Sequence, residues 1–78
     1  RIVLEMGLLA YNLLIEEYPL SEKHLTPQPD GQHWMLDTEV ANMQGVARFV
    51  IGLLDDIRII DAPELQAYIA EYLQKYVR

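Results

Sequence analysis

The 78-residue chain contains no cysteine. That excludes a disulfide framework, a zinc–thiolate site and a thiol nucleophile, and it is compatible with a cytoplasmic location. Basic residues are scarce: 6 Lys and Arg stand against 12 Asp and Glu, for a net charge of −6. The electrostatic footprint of a nucleic-acid binder is a basic patch, so this balance weighs against the chain binding DNA by itself. No apolar run approaches the roughly 18 residues that a membrane span needs. The longest, Leu13-Leu14-Ile15 and Phe49 to Leu54, fall far short of it. No charged segment followed by an apolar stretch opens the chain, so no secretory signal is expected. A Gly-rich phosphate loop, a nucleophile elbow and a Ser-His-Asp arrangement are all missing. The sequence does not read as an enzyme, and no cofactor is expected.

What is present is apolar surface. Hydrophobic residues make up 51% of the chain. A domain of this length buries only about 60% of its unfolded surface. The surplus hints at a face hidden in a partner or a neighbouring domain. The chain opens on Arg1 rather than Met, which suggests a piece of a longer protein. Residues 1–78 are read as a single domain, since the length suits one core and not two.

The stretch from Asn42 to Arg78 organises the rest. Val46, Phe49, Val50, Leu53 and Leu54 recur with the spacing of one buried helical face. Asn42 is placed to cap that helix. Asp55-Asp56 breaks the pattern, and Ile57-Arg58-Ile59-Ile60 reads as a short β-branched strand. Asp61-Ala62-Pro63-Glu64 is a helix-start signal, with proline suited to the first helical position. Leu65, Tyr68, Ile69, Tyr72, Leu73 and Tyr76 then carry an apolar stripe along a last helix.

Upstream, Arg1 to Met6 alternates, with Ile2, Leu4 and Met6 on one side, and predicts a strand. Leu8 to Tyr18 turns helical through Leu9, Ala10, Leu13 and Leu14, and Pro19 stops it. Ser21 to Pro27 reads as a second strand, Pro27 to Gly31 as a turn, and Gln32 to Ala41 as the clearest strand. On that strand Trp34, Leu36, Thr38 and Val40 share one face, and His33, Met35, Asp37 and Glu39 share the other. The order β-α-β-β-α-β predicts a ferredoxin-like α+β sandwich, a four-stranded antiparallel sheet with one additional C-terminal helix.

Several polar residues invite a chemical role. His24, His33 and Asp37 offer metal-ligand atoms, but a hairpin about Asp30 sets His24 opposite roughly Leu36, away from His33; no metal site is expected. Asp55, Asp56 and Asp61 form an acidic cluster, for which turn and capping roles suffice, and Glu16-Glu17 reads as a solvated helix face. Arg48 lies off the apolar stripe of its helix, and Arg58 alternates away from Ile57 and Ile59. Arginine suits carboxylates and other anions through its planar fork, although a surface ion pair is the plainer account. Tyr68, Tyr72 and Tyr76 recur at i, i+4 and i+8, while Leu65, Ile69 and Leu73 already serve the core. Tyrosine favours interfaces because its ring packs while its hydroxyl stays wet. Arg48, Arg58, Tyr68, Tyr72 and Tyr76 are the candidate interaction residues.

From Ile2 to Tyr76 the chain resembles the WCX domain, the C-terminal extension that follows the WYL domain in bacterial transcription regulators. The resemblance is carried mainly by the run from Val46-Ala47-Arg48-Phe49 through Asp55-Asp56 to Pro63-Glu64-Leu65, and by Pro29-Asp30-Gly31 leading into Trp34 and Leu36. One departure is visible: many members carry glycine just before the acidic turn, where this chain has Leu54, its nearest glycine being Gly52. The left-handed helix cap that such a glycine supplies is therefore not carried over.

The resemblance implies a regulator with an N-terminal winged helix for DNA, a central WYL domain that senses a ligand, and this module. Its expected partners are a second copy, giving a homodimer through the full-length regulator, and the WYL domain of the same chain. DNA would be touched only by the missing N-terminal domain, and no membrane is involved. The alternative is a small-molecule-binding regulatory domain of the same topology. An acylphosphatase-type enzyme ranks last, because the first loop, Met6-Gly7-Leu8-Leu9, is apolar.

Overall fold

A computed structural model of the chain describes residues 1–76. Strand β1 (Ile2–Met6) leads into helix α1 (Leu8–Glu17), a 3₁₀ helix (Pro19–His24) and the short strand β2 (Leu25–Pro27). Strand β3 (Trp34–Thr38), helix α2 (Met43–Ile51), strand β4 (Ile57–Asp61) and helix α3 (Pro63–Tyr76) complete it. The four strands form one antiparallel sheet in the order β2-β3-β1-β4. The expected β-α-β-β-α-β succession and the appended helix are both present, so the protein is an α+β domain.

β1 is the centre of the sheet, pairing with β3 on one side and β4 on the other. Its alternation decides which face is core: Ile2, Leu4 and Met6 are fully buried, while Val3 and Glu5 lie on the opposite face. Across β3, Leu4 meets Leu36, and across β4, Met6 meets Ile57. Ala10 and Leu14 from α1, Ala47 and Val50 from α2, and Leu65 and Ile69 from α3 close over this inner face. The indole of Trp34 stacks on the Tyr11 ring at 4.2 Å between centroids, pinning α1 to β3.

Several sequence expectations need correction, among them the strand expected over Gln32–Ala41, which spans only Trp34–Thr38. The strand expected over Ser21–Pro27 is a strand only at Leu25–Pro27, because Ser21 to His24 continue the 3₁₀ turn that Pro19 starts. Proline at the first position of a tight turn presets φ and lacks the N–H that a strand would need. Leu25, and not His24, therefore stands opposite Leu36. In α1, Leu9 is exposed and the buried face is Ala10 with Leu14. α2 ends at Ile51, with Gly52 as its right-handed cap at φ −69°, and Leu53 and Leu54 belong to the turn that follows. Asp61 is the last residue of β4 and pairs with Val3, while Ala62 accepts the first α3 bond, from the Gln66 N–H. The register slips between Leu4–Ile59 and Val3–Asp61, leaving Ile60 as an extra, exposed residue in a bulge.

The turn after α2 holds the two halves of the chain together. Its Asp56 carbonyl accepts the Gly7 N–H at 2.9 Å, and its carboxylate accepts the Ala10 N–H at 2.7 Å. Gly7 supplies no side-chain cap to α1. Asp56 therefore caps α1 across 46 residues of chain, satisfying an N–H that a helix start leaves free and placing a negative group at the positive end of the helix dipole. Gly7 has an ordinary φ of −84°; what it contributes is space, since a Cβ there would collide with the Asp56 carboxylate.

Asp56→Ala is expected to cost about 1 kcal/mol of unfolding free energy, the usual value of a lost cap. Gly7→Ala should cost at least as much in the native background and nearly nothing in the Asp56→Ala background. Urea unfolding of the four proteins checks this; additive effects would refute the contact as the cause.

Candidate functional site

α2 has two working faces. Ala47 and Val50 are buried, and Val46 and Phe49 pack on the same core toward α1 and the sheet. Gln44, Ala47, Arg48 and Ile51, spaced i, i+3, i+4 and i+7, face α3. From α3, Tyr68, Tyr72 and Tyr76 come down toward the same place, while Leu65 and Ile69 are spent on the core. The two helices thus enclose a pocket of about 170 Å³ lined by those seven residues. The Tyr72 and Tyr76 rings lie 4.7 Å apart at 47°, and the Lys75 ammonium sits 5.4 Å from the Tyr76 centroid. Asn42 starts α2 as expected, its side-chain oxygen accepting the Gln44 N–H at 2.7 Å.

Four of the five candidate interaction residues, Arg48, Tyr68, Tyr72 and Tyr76, therefore meet in one pocket. Arg58 lies elsewhere. It stands opposite Glu5 on the outer face of the sheet and binds its carboxylate at 3.1 Å, the plain ion pair weighed against a ligand role. Tyr68 is half-buried, whereas Tyr72 and Tyr76 are 38% and 62% exposed.

Of the possible metal ligands, His33 is taken by a neighbour. Its Nδ1 lies 2.6 Å from an Asp30 carboxylate oxygen, and the other oxygen of Asp30 accepts the Gln32 and His33 N–H groups. The Gln32 bond, with the imidazole second, holds the Asp30 carboxyl below its ordinary range; the same imidazole–carboxylate bond raises His33. Asp37 is bound by Arg1 through Nε and Nη2 at 3.0 and 2.9 Å, and this fork lowers its pKa. No group of three or more His, Cys, Asp or Glu residues able to hold a metal occurs among the described residues.

An apolar cleft of about 370 Å³ between α1, α2 and the sheet is a feature the sequence reading missed. Ile2, Leu4 and Leu36 form its floor, with Leu14, Val46 and Phe49 along its walls. Tyr18 stands at its rim and meets Phe49 edge-on at 6.4 Å. The only sequence signal for it was the apolar run of α2; how far α1 stands from α2 is not written in either helix.

The fold and these surfaces define a small α+β domain built of a β-α-β-β-α-β sandwich with a third helix laid on the second. This chain belongs to the WCX domain family, whose match runs over residues 9–77 and so takes in the α2–α3 pocket and the Asp56 turn. No curated protein and no solved structure gives a significant match. No helix among the described residues is long and apolar enough to cross a membrane.

The Asp30–His33 pair makes the hairpin pH-sensitive. His33, raised above 6.5, contributes stability that is full below that value and lost as pH climbs through its folded pKa. Asp30, lowered below 3.8, contributes above that value and loses it as pH falls through its folded pKa. The contact is complete between those two ordinary values. An NMR titration should place the His33 pKa above 6.5 and return it toward that value in Asp30→Asn.

Proposed function

We propose that this WCX domain is the C-terminal dimerisation and signal-coupling module of a WYL-type bacterial transcription regulator, working through protein–protein and interdomain contacts in the cytoplasm and performing no catalysis. Membership of the WCX family supports the setting. The observation that carries the mode of action is the amount of apolar surface left open: Leu8, Leu9, Leu20, Leu54 and Tyr76 are each more than half exposed. Large apolar side chains exposed side by side mark an interaction surface more often than a bare monomer face. Because Asp56 is bonded to Gly7 and Ala10, Leu54 and the Leu8-Leu9 pair lie at the same end of the molecule. This leucine end, the outer sheet face with Val3, Met35 and the Arg58–Glu5 pair, and the tyrosine-bearing α3 are the surfaces offered to a second subunit or to the WYL domain. A ligand held by the WYL domain would then change how two subunits sit, and through them the affinity of the winged helices for DNA.

A second reading, a small-molecule-binding regulatory domain, draws on the apolar cleft that reaches Ile2 and Leu4. It calls for saturable thermal stabilisation of the chain by a neutral apolar compound.

Light scattering on the chain and on its parent protein separates the readings. A dimer is expected whose dissociation constant rises at least about tenfold on Tyr76→Ala or Met35→Lys. The lysine has Glu5 opposite it, so folding should be spared. A monomer in both proteins, indifferent to either change, would sink the dimerisation reading.

A further inference from the structure

The pocket between α2 and α3 has a composition at odds with the rest of the chain. Acidic residues outnumber basic ones 12 to 6, yet among the described residues no Asp or Glu lines it. Its polar side chains are one guanidinium, three phenols and one carboxamide, and every one of them can donate a hydrogen bond. Among the described residues three ion pairs form, Arg1–Asp37, Asp30–His33 and Glu5–Arg58, and Arg48 is in none of them. Glu17 shares with Arg48 the groove on the other side of α2 but makes no ion pair with it among the described residues; on the α3 side the guanidinium is ringed by donors alone, an arrangement suited to an added anion.

We propose that this pocket binds a small organic monocarboxylate with a flat apolar body. The Arg48 fork would take the carboxylate in two parallel bonds, and the phenol hydroxyls can add a third. Ala47 and Ile51 on α2 and the tyrosine rings on α3 cover an apolar body of about one ring, edge or face. The volume, about 170 Å³, is below that of sites for drug-sized molecules, which begin at about 300 Å³, and confines the ligand to a single ring or less. The single guanidinium sets the charge. A dianion such as phosphate would meet one guanidinium and the repulsive field of a chain at −6, whereas a monoanion is matched one to one. The inference concerns the chain by itself; Tyr76 belongs both to this pocket and to the surface offered to a second subunit, so the two are tested apart.

The test is an NMR titration of the chain, following backbone amides and the Arg48 Nε–H, with benzoate, with its neutral isostere benzamide, and with inorganic phosphate. Benzoate should give saturable shifts confined to residues 44–51 and 68–76. Its affinity should fall at least about tenfold in Arg48→Met, less in Arg48→Lys, which keeps the charge, and less again in Tyr72→Phe, which keeps the ring. Arg48 is exposed, so each variant should hold the native spectrum elsewhere, and the lysine variant keeps the test open if the methionine one does not. No saturable shift, benzamide binding as well as benzoate, or an unchanged affinity in both Arg48 variants would overturn the site. Phosphate binding as tightly as benzoate would overturn its assignment to a monocarboxylate. Light scattering beside each titration tracks the oligomeric state, so a failed dimer and an empty pocket are told apart.

Discussion

The bond between the Asp56 turn and the start of α1 is the constraint on which the rest of the structure depends. β1 lies at the centre of the sheet, and both halves of the chain are built on it. α1 leaves β1 through Gly7, and β4 approaches β1 through Asp56. Joining those two residues by a backbone bond and a carboxylate cap sets the end of β4 against the end of β1, where Met6 meets Ile57. The register of the central pair then follows, and with it the inward direction of Ile2, Leu4 and Met6. A slip of one residue would turn the whole apolar set of a strand to water. The bulge at Ile60 comes only after three pairs in register, at the far end from this anchor.

α2 is the element that turns fold into surface. One side of it closes the core with Ala47 and Val50 and forms a wall of the apolar cleft with Val46 and Phe49. The other side faces α3 and places Arg48 among tyrosines. Because α3 spends Leu65 and Ile69 on the core, its tyrosine stripe falls at the border between core and solvent, half-buried at Tyr68 and open by Tyr76. A ring that packs with a hydroxyl that stays wet suits such a border. The same geometry provides a pocket on the inside of the stripe and an exposed aromatic surface on its outside.

Much of this was legible beforehand. The alternation of β1 and β3, the Asn42 cap and the proline start of α3 are short-range signals, and each of them survives folding because no distant contact opposes it. The spacing of Tyr68, Tyr72 and Tyr76 and the position of Arg48 off the α2 stripe were also visible, and it is these residues that meet. Arg58 was equally prominent in sequence but ends in an ion pair with Glu5, because strand register, and not local pattern, chooses its neighbour. Ser21 to His24 alternate like a strand, yet the tight turn launched at Pro19 overrides so weak a signal.

By itself, then, the sequence determined the type of every element except the 3₁₀ turn at Pro19–His24, the buried faces of β1 and β3 and the antiparallel α+β class. All of these rest on side-chain periodicity and on backbone preferences within a few residues. Tertiary structure decided that Asp56 caps a helix 46 positions away, that Gly7 must leave room for that carboxylate, and that α2 and α3 enclose a pocket that no acidic residue among those described lines. Those features depend on distances between segments far apart in the chain, which are set by how the whole core packs and are encoded at no single position.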